Sequence, residues 1–308
     1  METDDGATMQ GDAAQRETDG VVVDAVGDTD FTVFLPNAMA LRTAVDVMSH
    51  TLLEVTFKLE MSDAHNLSLR VDAMDQASIC ACKAKIKCAG SINPSAKREP
   101  EFCIKLKPFL EILRALPATE GLQLFRRSGE EDVHIRSLGV ESHRYEIHTL
   151  YDGFTPVQLN TCKTAFSIDF DLAKLRSHLG VATNLKAPDI FIEIRETTSP
   201  NQDLDKALIL TISCEGDAAK AQWSFFQHGD DKQVSFLMQD MDGVATTLKY
   251  REKFSVEYLR NFTKSTMVRS SVTLSFTTTD PRCLIVEYAL GQENSSISFL
   301  LASKVSDE

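Results

Sequence analysis

KFSVEYLRNFTKSTMVRSSVTLSF, residues 253–276, contains the change of pattern from which the rest of the chain can be read. FSVEYLRNFTKST (254–266) reads as an amphipathic helix with Arg260 and Lys264 at i, i+4, and SVTLSFTTT (271–279) as the strand after it. CLIVEYAL (283–290) and SISFLLA (296–302) continue as strands. Upstream, FSIDF (166–170) is a strand, and DLAKLRSHLGVAT (171–183) is a helix with Leu172, Leu175 and Leu179 on one face. IFIEI (190–194), ALILTI (207–212), AQWSFF (221–226) and VSFLM (234–238) read as strands, and TTSPNQDLDK (197–206) as a polar insertion.

The same order stands in the first half. A helix is expected over Pro36–Val55, with Ala38, Leu41, Val45, Met48 and Leu52 at helical spacing. Strands FKLEM (57–61), LSLRVDAM (67–74) and ASICACKAKI (77–86) follow. A second helix over Lys107–Leu116 has Pro108 in its first turn and Pro117 closing it. Strands return at 121–127, 132–137 and 143–150. YDGFTPVQLNTC (151–162), with Gly153 and Pro156, breaks the pattern and reads as a connector. Both halves thus run helix, strands, helix, strands, as an internal duplication would. With so many strands per helix the fold class is α+β with antiparallel sheets, in domains 29–150 and 163–308.

The 308 residues suit two domains, and no apolar run is long enough to span a membrane. The chain starts without a secretory signal pattern, so its seven cysteines read as reduced thiols. Cys80, Cys82 and Cys88 lack a zinc-type spacing and read as small apolar strand residues. Residues 1–28 are a polar extension expected to be disordered, with nine acidic residues through Asp30 against Arg16 alone. Phosphate-loop, dinucleotide, zinc-protease and nucleophile-elbow motifs are absent, which argues against an enzyme and implies no metal or cofactor. Asp169 and Asp171 fall where a helix N-terminus needs capping.

Net charge is −13, from 45 acidic and 32 basic residues, so nucleic-acid binding would require basic residues segregated onto one surface. The helices offer such a set. The first carries Arg42; the second Lys105, Lys107 and Arg114; the third Lys174, Arg176 and His178; the fourth Arg260 and Lys264, with Arg269 just beyond. Sharing one side of the molecule, they would form a sequence-blind phosphate track. Ordinary solvated helix faces are the alternative, and Glu54, Glu111 and Glu257 interrupt the pattern.

Four segments in order resemble the sliding clamp family, that of proliferating cell nuclear antigen. They are Phe262-Thr263-Lys264-Ser265-Thr266, Val272-Thr273-Leu274-Ser275, Val286-Glu287-Tyr288 and Leu301-Ala302-Ser303-Lys304. Met74-Asp75 and Tyr145-Glu146 match two earlier family strands. The resemblance covers roughly residues 35–308 and implies a DNA-clamp fold, with three identical subunits in a ring, helices lining the hole and sheets outside. It further implies sequence-independent binding of double-stranded DNA, tethering of DNA polymerase and other clamp-binding peptides, an ATP-dependent clamp loader, and a nuclear location, or a viral replication site if the source is a virus. Residue by residue, it carries a peptide pocket onto Met74, Ser78, Ile79, Val157, Leu159, Leu300, Ala302 and Ser303. Here the family's His, Tyr and Pro are replaced by Ser78, Leu300 and Ser303. The head-to-tail interface would pair a strand with Arg144, Tyr145, Ile147 and Thr149 against a neighbour's strand with Gln222, Trp223 and Phe225. A checkpoint-type subunit of a hetero-oligomer, or a monomeric or dimeric clamp-fold processivity factor, fits the same residues.

Overall fold

The computed structural model describes residues 28–63, 66–150, 164–197, 208–227, 246–265, 271–277, 282–291 and 294–304. The extension through residue 27, the connector 151–162, positions 198–206 of the insertion and the strand expected at 234–238 lie outside these, as do Val157, Leu159 and Arg269.

Two runs of ten elements follow each other in the same order. The first is β1 (Thr29–Leu35), α1 (Met39–Met48), β2 (Glu54–Asp63), β3 (Asn66–Met74), β4 (Cys80–Ile92), β5 (Glu101–Lys105), α2 (Leu106–Ala115), β6 (Leu122–Arg127), β7 (Val133–Ser137) and β8 (Arg144–Ile147). The second is β9 (Thr164–Asp171), α3 (Leu172–Asn184), β10 (Asp189–Thr197), β11 (Leu208–Glu215), β12 (Lys220–Gln227), β13 (Thr246–Ser255), α4 (Val256–Thr263), β14 (Ser271–Thr277), β15 (Cys283–Ala289) and β16 (Ser296–Ala302).

Strand pairing repeats as well. In the first run β2 pairs with β3 and β5, β3 with β4, β6 with β1 and β7, and β7 with β8. In the second, β10 pairs with β11 and β13, β11 with β12, β14 with β9 and β15, and β15 with β16. All are antiparallel. Two pairings have no repeat among the described residues, and both belong to the long strand β4. Its start, Cys80–Lys85, pairs with β16, and its end, Ala89–Ile92, with β1. Gly90 makes the second junction possible: at φ +148° a Cβ there would meet the Thr32 carbonyl oxygen at 2.0 Å. Through β4 both halves join in a 12-stranded sheet, while β10 to β13 form a separate four-stranded one.

Some strands alternate as strands of a sheet buried on one face do, while β1 and β6 are buried along most of their length. In β16, Ile297, Phe299 and Leu301 are buried and the residues between them only partly so. The stack of Phe262 on Phe299, centroids 4.4 Å apart, ties α4 to this strand. Tyr288, fully buried in β15, donates its hydroxyl to the Phe262 carbonyl at 3.2 Å. In the first half Phe102 stacks between Phe31 and Phe57, and Phe109 of α2 meets Phe57 edge-on. The helices pack in pairs, α1 on α2 and α3 on α4, and α1 also touches α4 across the halves. Among the described residues, no helix is long and apolar enough to cross a membrane.

Several elements differ from the sequence expectation. The first helix ends at Met48 rather than near Val55. Ser49 turns its hydroxyl back to the Asp46 carbonyl, and Thr51 and Leu52 close a turn on Met48. Leu52 is buried in that turn, so its helical spacing misled. The fourth helix starts at Val256, because Phe254 is still paired with Ile190 in the sheet. Three strands carried no expectation: β1, β5 and β13. In β13 (TTLKYREKFS) the outward positions hold cations that pair with acids on β10. Lys249 lies 2.7 Å from Glu196, Arg251 3.7 Å from Glu193 and Lys253 3.2 Å from Asp189. A charged strand stabilised by cross-strand ion pairs looks like a loop in sequence.

Candidate nucleic-acid interface

The four helices form a layer against the sheets, and their remaining exposed faces hold the candidate cations. α1 contributes least. Eight of its ten residues are buried, leaving Met39 and Arg42 as its outward positions. Arg42 is itself half-buried, with an Nε shielded from solvent and without an acceptor among the described residues. Lys105 and Lys107 flank the start of α2 and are exposed. Arg114, in its last turn, is shared between Asp46 Oδ1 at 2.9 Å and Glu111 Oε1 at 2.8 Å. Its charge is thus largely offset within the chain.

In α3, Asp171 acts as the N-cap expected of it, its Oδ1 accepting the Lys174 N–H at 2.9 Å. Asp169 instead accepts from the Thr273 hydroxyl at 2.6 Å. Lys174 is exposed on the first turn. Arg176 is not placed for a phosphate track. Its Nε donates to the Thr263 carbonyl at 2.6 Å and a terminal nitrogen to that of Ser265, capping the end of α4. His178 also departs from the expectation. Its ring lies 4.4 Å from that of Trp223 and near Phe170 and Phe225, and its Nε2 is buried without a partner among the described residues. Burial, and secondarily Lys174, lowers its pKa, so it sits as a neutral aromatic spacer between α3 and β12.

The clearest basic surface lies between the end of α3 and the start of α4. A groove of about 520 Å³ there is lined by Lys186, Arg260, Lys264 and Lys304, with Glu257 as its acid and Asn261 also in its lining. Lys264 Nζ donates to Asn261 Oδ1 at 2.7 Å. Lys186 holds a left-handed backbone (φ +57°) just past the end of α3, which turns its side chain out of the helix. Lys304 pairs with the buried Asp189, which also meets Lys253. Lys186 and Lys304 were not among the sequence candidates, because neither falls inside a helix. Near the contact of α1 with α4, burial lowers the pKa of His50, and the charges of Lys264 and Arg114 oppose its protonation further while Asp46 favours it.

The candidate peptide-pocket positions gather at the seam of β3, β4 and β16. Met74 is opposite Ala81, and Ala81 is opposite Leu300. Two residues along, the Ala302 N–H donates to the Ile79 carbonyl at 3.0 Å. The period of two puts Met74, Ile79, Leu300 and Ala302 on one face, with small Ala81 between larger neighbours. Ile79 is 38% exposed there. Ser78 is exposed with φ +57°, and Ser303 donates its N–H to the Arg282 carbonyl. Asp75 braces this loop: Oδ1 accepts the N–H groups of Ile79 and Cys80 at 2.8 and 2.7 Å, and Oδ2 accepts the Tyr258 hydroxyl of α4 at 2.5 Å. Burial, then that bond, raises the Tyr258 pKa.

The candidate interface strands, β8 and β12, each lie at the end of their sheet. Arg144 and Gln222 are exposed, Tyr145 and Thr149 partly buried, and Ile147 buried. Trp223 and Phe225 turn inward, onto His178 and Phe170.

No protein-family model and no curated protein matches the chain. Among solved structures, it is similar to proliferating cellular nuclear antigen from Entamoeba histolytica, with 17% identity and a TM-score of 0.66 over 90% of this chain and 100% of that one. It is also similar to the same antigen from Thermococcus kodakaraensis, with 16% identity and a TM-score of 0.64 over 89% of this chain and 100% of that one. At this identity the likeness is one of fold: the chain has the α+β DNA-clamp fold.

Proposed function

We propose that this chain, built on the DNA-clamp fold, is a non-catalytic sliding clamp that closes as a homotrimer around double-stranded DNA and tethers DNA polymerase and other clamp-binding peptides. One observation carries the reading. In the duplicated pairing scheme β16 is the counterpart of β8, and β4 of β12. Inside the chain β16 pairs with β4, while β8 and β12 are left at sheet ends. Pairing β8 of one subunit with β12 of the next repeats the internal junction between subunits, with Arg144, Tyr145, Ile147 and Thr149 facing Gln222 and its neighbours. Such a head-to-tail contact closes when the rotation completes a circle, and it covers two strand edges that would otherwise invite aggregation.

In that ring the helix layer faces the hole. Lys105, Lys107, Lys174, Arg260 and Lys264, joined by Lys186, are the cations we assign to phosphate contact; Arg176 and His178 are excluded by the contacts they already make. Phosphate contacts without base readout let a ring slide. A tethered polymerase gains effective concentration at the primer end. We assign the clamp-binding peptides to the apolar face of Met74, Ile79, Leu300 and Ala302, loading to an ATP-dependent clamp loader, and the site of action to the nucleus or a viral replication site.

The test is topological retention. The chain is incubated with linear duplex DNA, the ends are blocked with a bulky protein, and the sample is washed in high salt. Retention that is lost on a single cut of the DNA is the expected result. Release by salt regardless of the ends would contradict encirclement.

A further inference from the structure

We propose that the outer face of the β7–β8 hairpin is a binding site for a divalent transition-metal cation of the zinc type, held by Asp132, Glu146 and His148 with His134 beside them. The site goes beyond the clamp reading and does not depend on it. The strand register creates it. Val133 is opposite Ile147 and His134 opposite Glu146, so Asp132 stands opposite His148. With a period of two, all four side chains emerge on the same face of the ladder. Each strand supplies one carboxylate and one imidazole, arranged crosswise.

The donor atoms already converge. One ligand atom each from Asp132, Glu146 and His148 lie within 4.8 Å of one another. His148 Nδ1 is 2.8 Å from Asp132 Oδ2, and His134 Nδ1 is 4.0 Å from Glu146 Oε2. A tetrahedral zinc with bonds of about 2.0–2.1 Å sets its donors roughly 3.3 Å apart, so closure takes a small movement of side chains. His148 and Glu146 have that freedom, at 86% and 54% side-chain exposure.

The surroundings orient these donors as metal sites require. Asp132 Oδ1 accepts the Thr149 N–H at 3.1 Å, and the Thr149 hydroxyl donates to the Glu131 carbonyl at 3.0 Å. His134 is fixed at its far nitrogen by Glu130, 2.5 Å away, and stacks on Phe125 with centroids 5.1 Å apart. A carboxylate holding the far nitrogen of a histidine selects the tautomer that directs the near nitrogen at a metal. The mixed nitrogen and oxygen set suits zinc and its neighbours. Calcium and magnesium prefer all-oxygen shells of six or more ligands. A cation here would also offset two diagonal carboxylates and clip the four-residue β8 to β7.

The test uses the full chain, Zn²⁺ as the probe and a chromophoric zinc chelator in competition at neutral pH. One zinc per chain is expected. His148→Ala and Glu146→Gln should each weaken binding by about tenfold or more. Excess Ca²⁺ and Mg²⁺ should not compete, and zinc should slow amide exchange across 144–147. Both side chains are largely exposed, and unchanged circular-dichroism melts would show that the variants fold. Absence of stoichiometric binding at high micromolar zinc, or binding that both variants leave unchanged, would overturn the proposal. Neither result bears on DNA retention or subunit mass.

Discussion

Asp30 and Arg126 form an ion pair inside the protein, each 4% exposed. A bulge between Thr29 and Phe31 makes Asp30 the extra residue of β1 and turns its carboxylate inward. Arg126 Nε donates to Asp30 Oδ2 at 2.9 Å, while its two terminal nitrogens donate to the carbonyls of Glu101 and Glu99, each at 2.9 Å. The guanidinium carbon lies 5.2 Å from the centre of the Phe31 ring. Asp30→Ala would leave a desolvated cation facing neutral carbonyls. Breaking one side of such a buried pair costs about 3–5 kcal/mol. Asp30→Ala with Arg126→Met removes the uncompensated charge and leaves two carbonyls without donors. One belongs to Glu99, an exposed residue before β5, and the other to Glu101, the partly buried first residue of β5, so a residual cost of about 1–2 kcal/mol is expected. Urea unfolding followed by far-UV circular dichroism, at one protein concentration, measures both. The double variant should be the more stable of the two by about 2 kcal/mol. A single-variant cost under about 1 kcal/mol, or a double variant less stable than the single, would refute the reasoning.

Three other outcomes follow from the same kinds of interaction. Asp75→Ala strands two backbone N–H groups and the Tyr258 hydroxyl, so it should cost about 3 kcal/mol in a urea melt, against about 1 kcal/mol for Tyr258→Phe; equal costs would remove the loop brace from the explanation. Burial lowers the His178 pKa, so below about 6.5 the unfolded chain binds the extra proton and stability falls as pH drops through that window. His178→Phe should flatten the loss of melting temperature between pH 7.5 and 5.5; His50, shifted the same way, leaves part of it, and an unchanged slope would exclude His178 as a contributor. Lys264→Glu and Arg260→Glu should each reduce the salt dependence of duplex binding, by about 0.9 in log–log slope for each phosphate that is no longer neutralised; slopes equal to wild type would remove the groove from the DNA track.

Much of the architecture was legible because burial is one-sided. Leu172, Leu175 and Leu179 marked α3, and Pro108 and Pro117 framed α2, so the duplicated order could be read directly. What escaped was decided by partners distant in sequence. Asp30 counted only as the last of a run of acids that starts in the N-terminal extension, because its partner Arg126 lies 96 residues away. β13 hid its strand character in cross-strand ion pairs with β10. In the candidate site, spacing identified which cations sit on helices but not which are already engaged. Arg114 is shared by two acids, Arg176 caps α4 and His178 is packed among aromatic rings. Lys186 was overlooked because the left-handed turn that directs it into the groove begins where the helical period stops.

Ring closure through β8 and β12 is tested most directly by the solution mass, from size exclusion with light scattering across a dilution series. A mass near three 34.2 kDa subunits that persists on dilution is the expected result. A monomer or dimer at every concentration would contradict the homotrimer and leave the two sheet edges to a different partner chain.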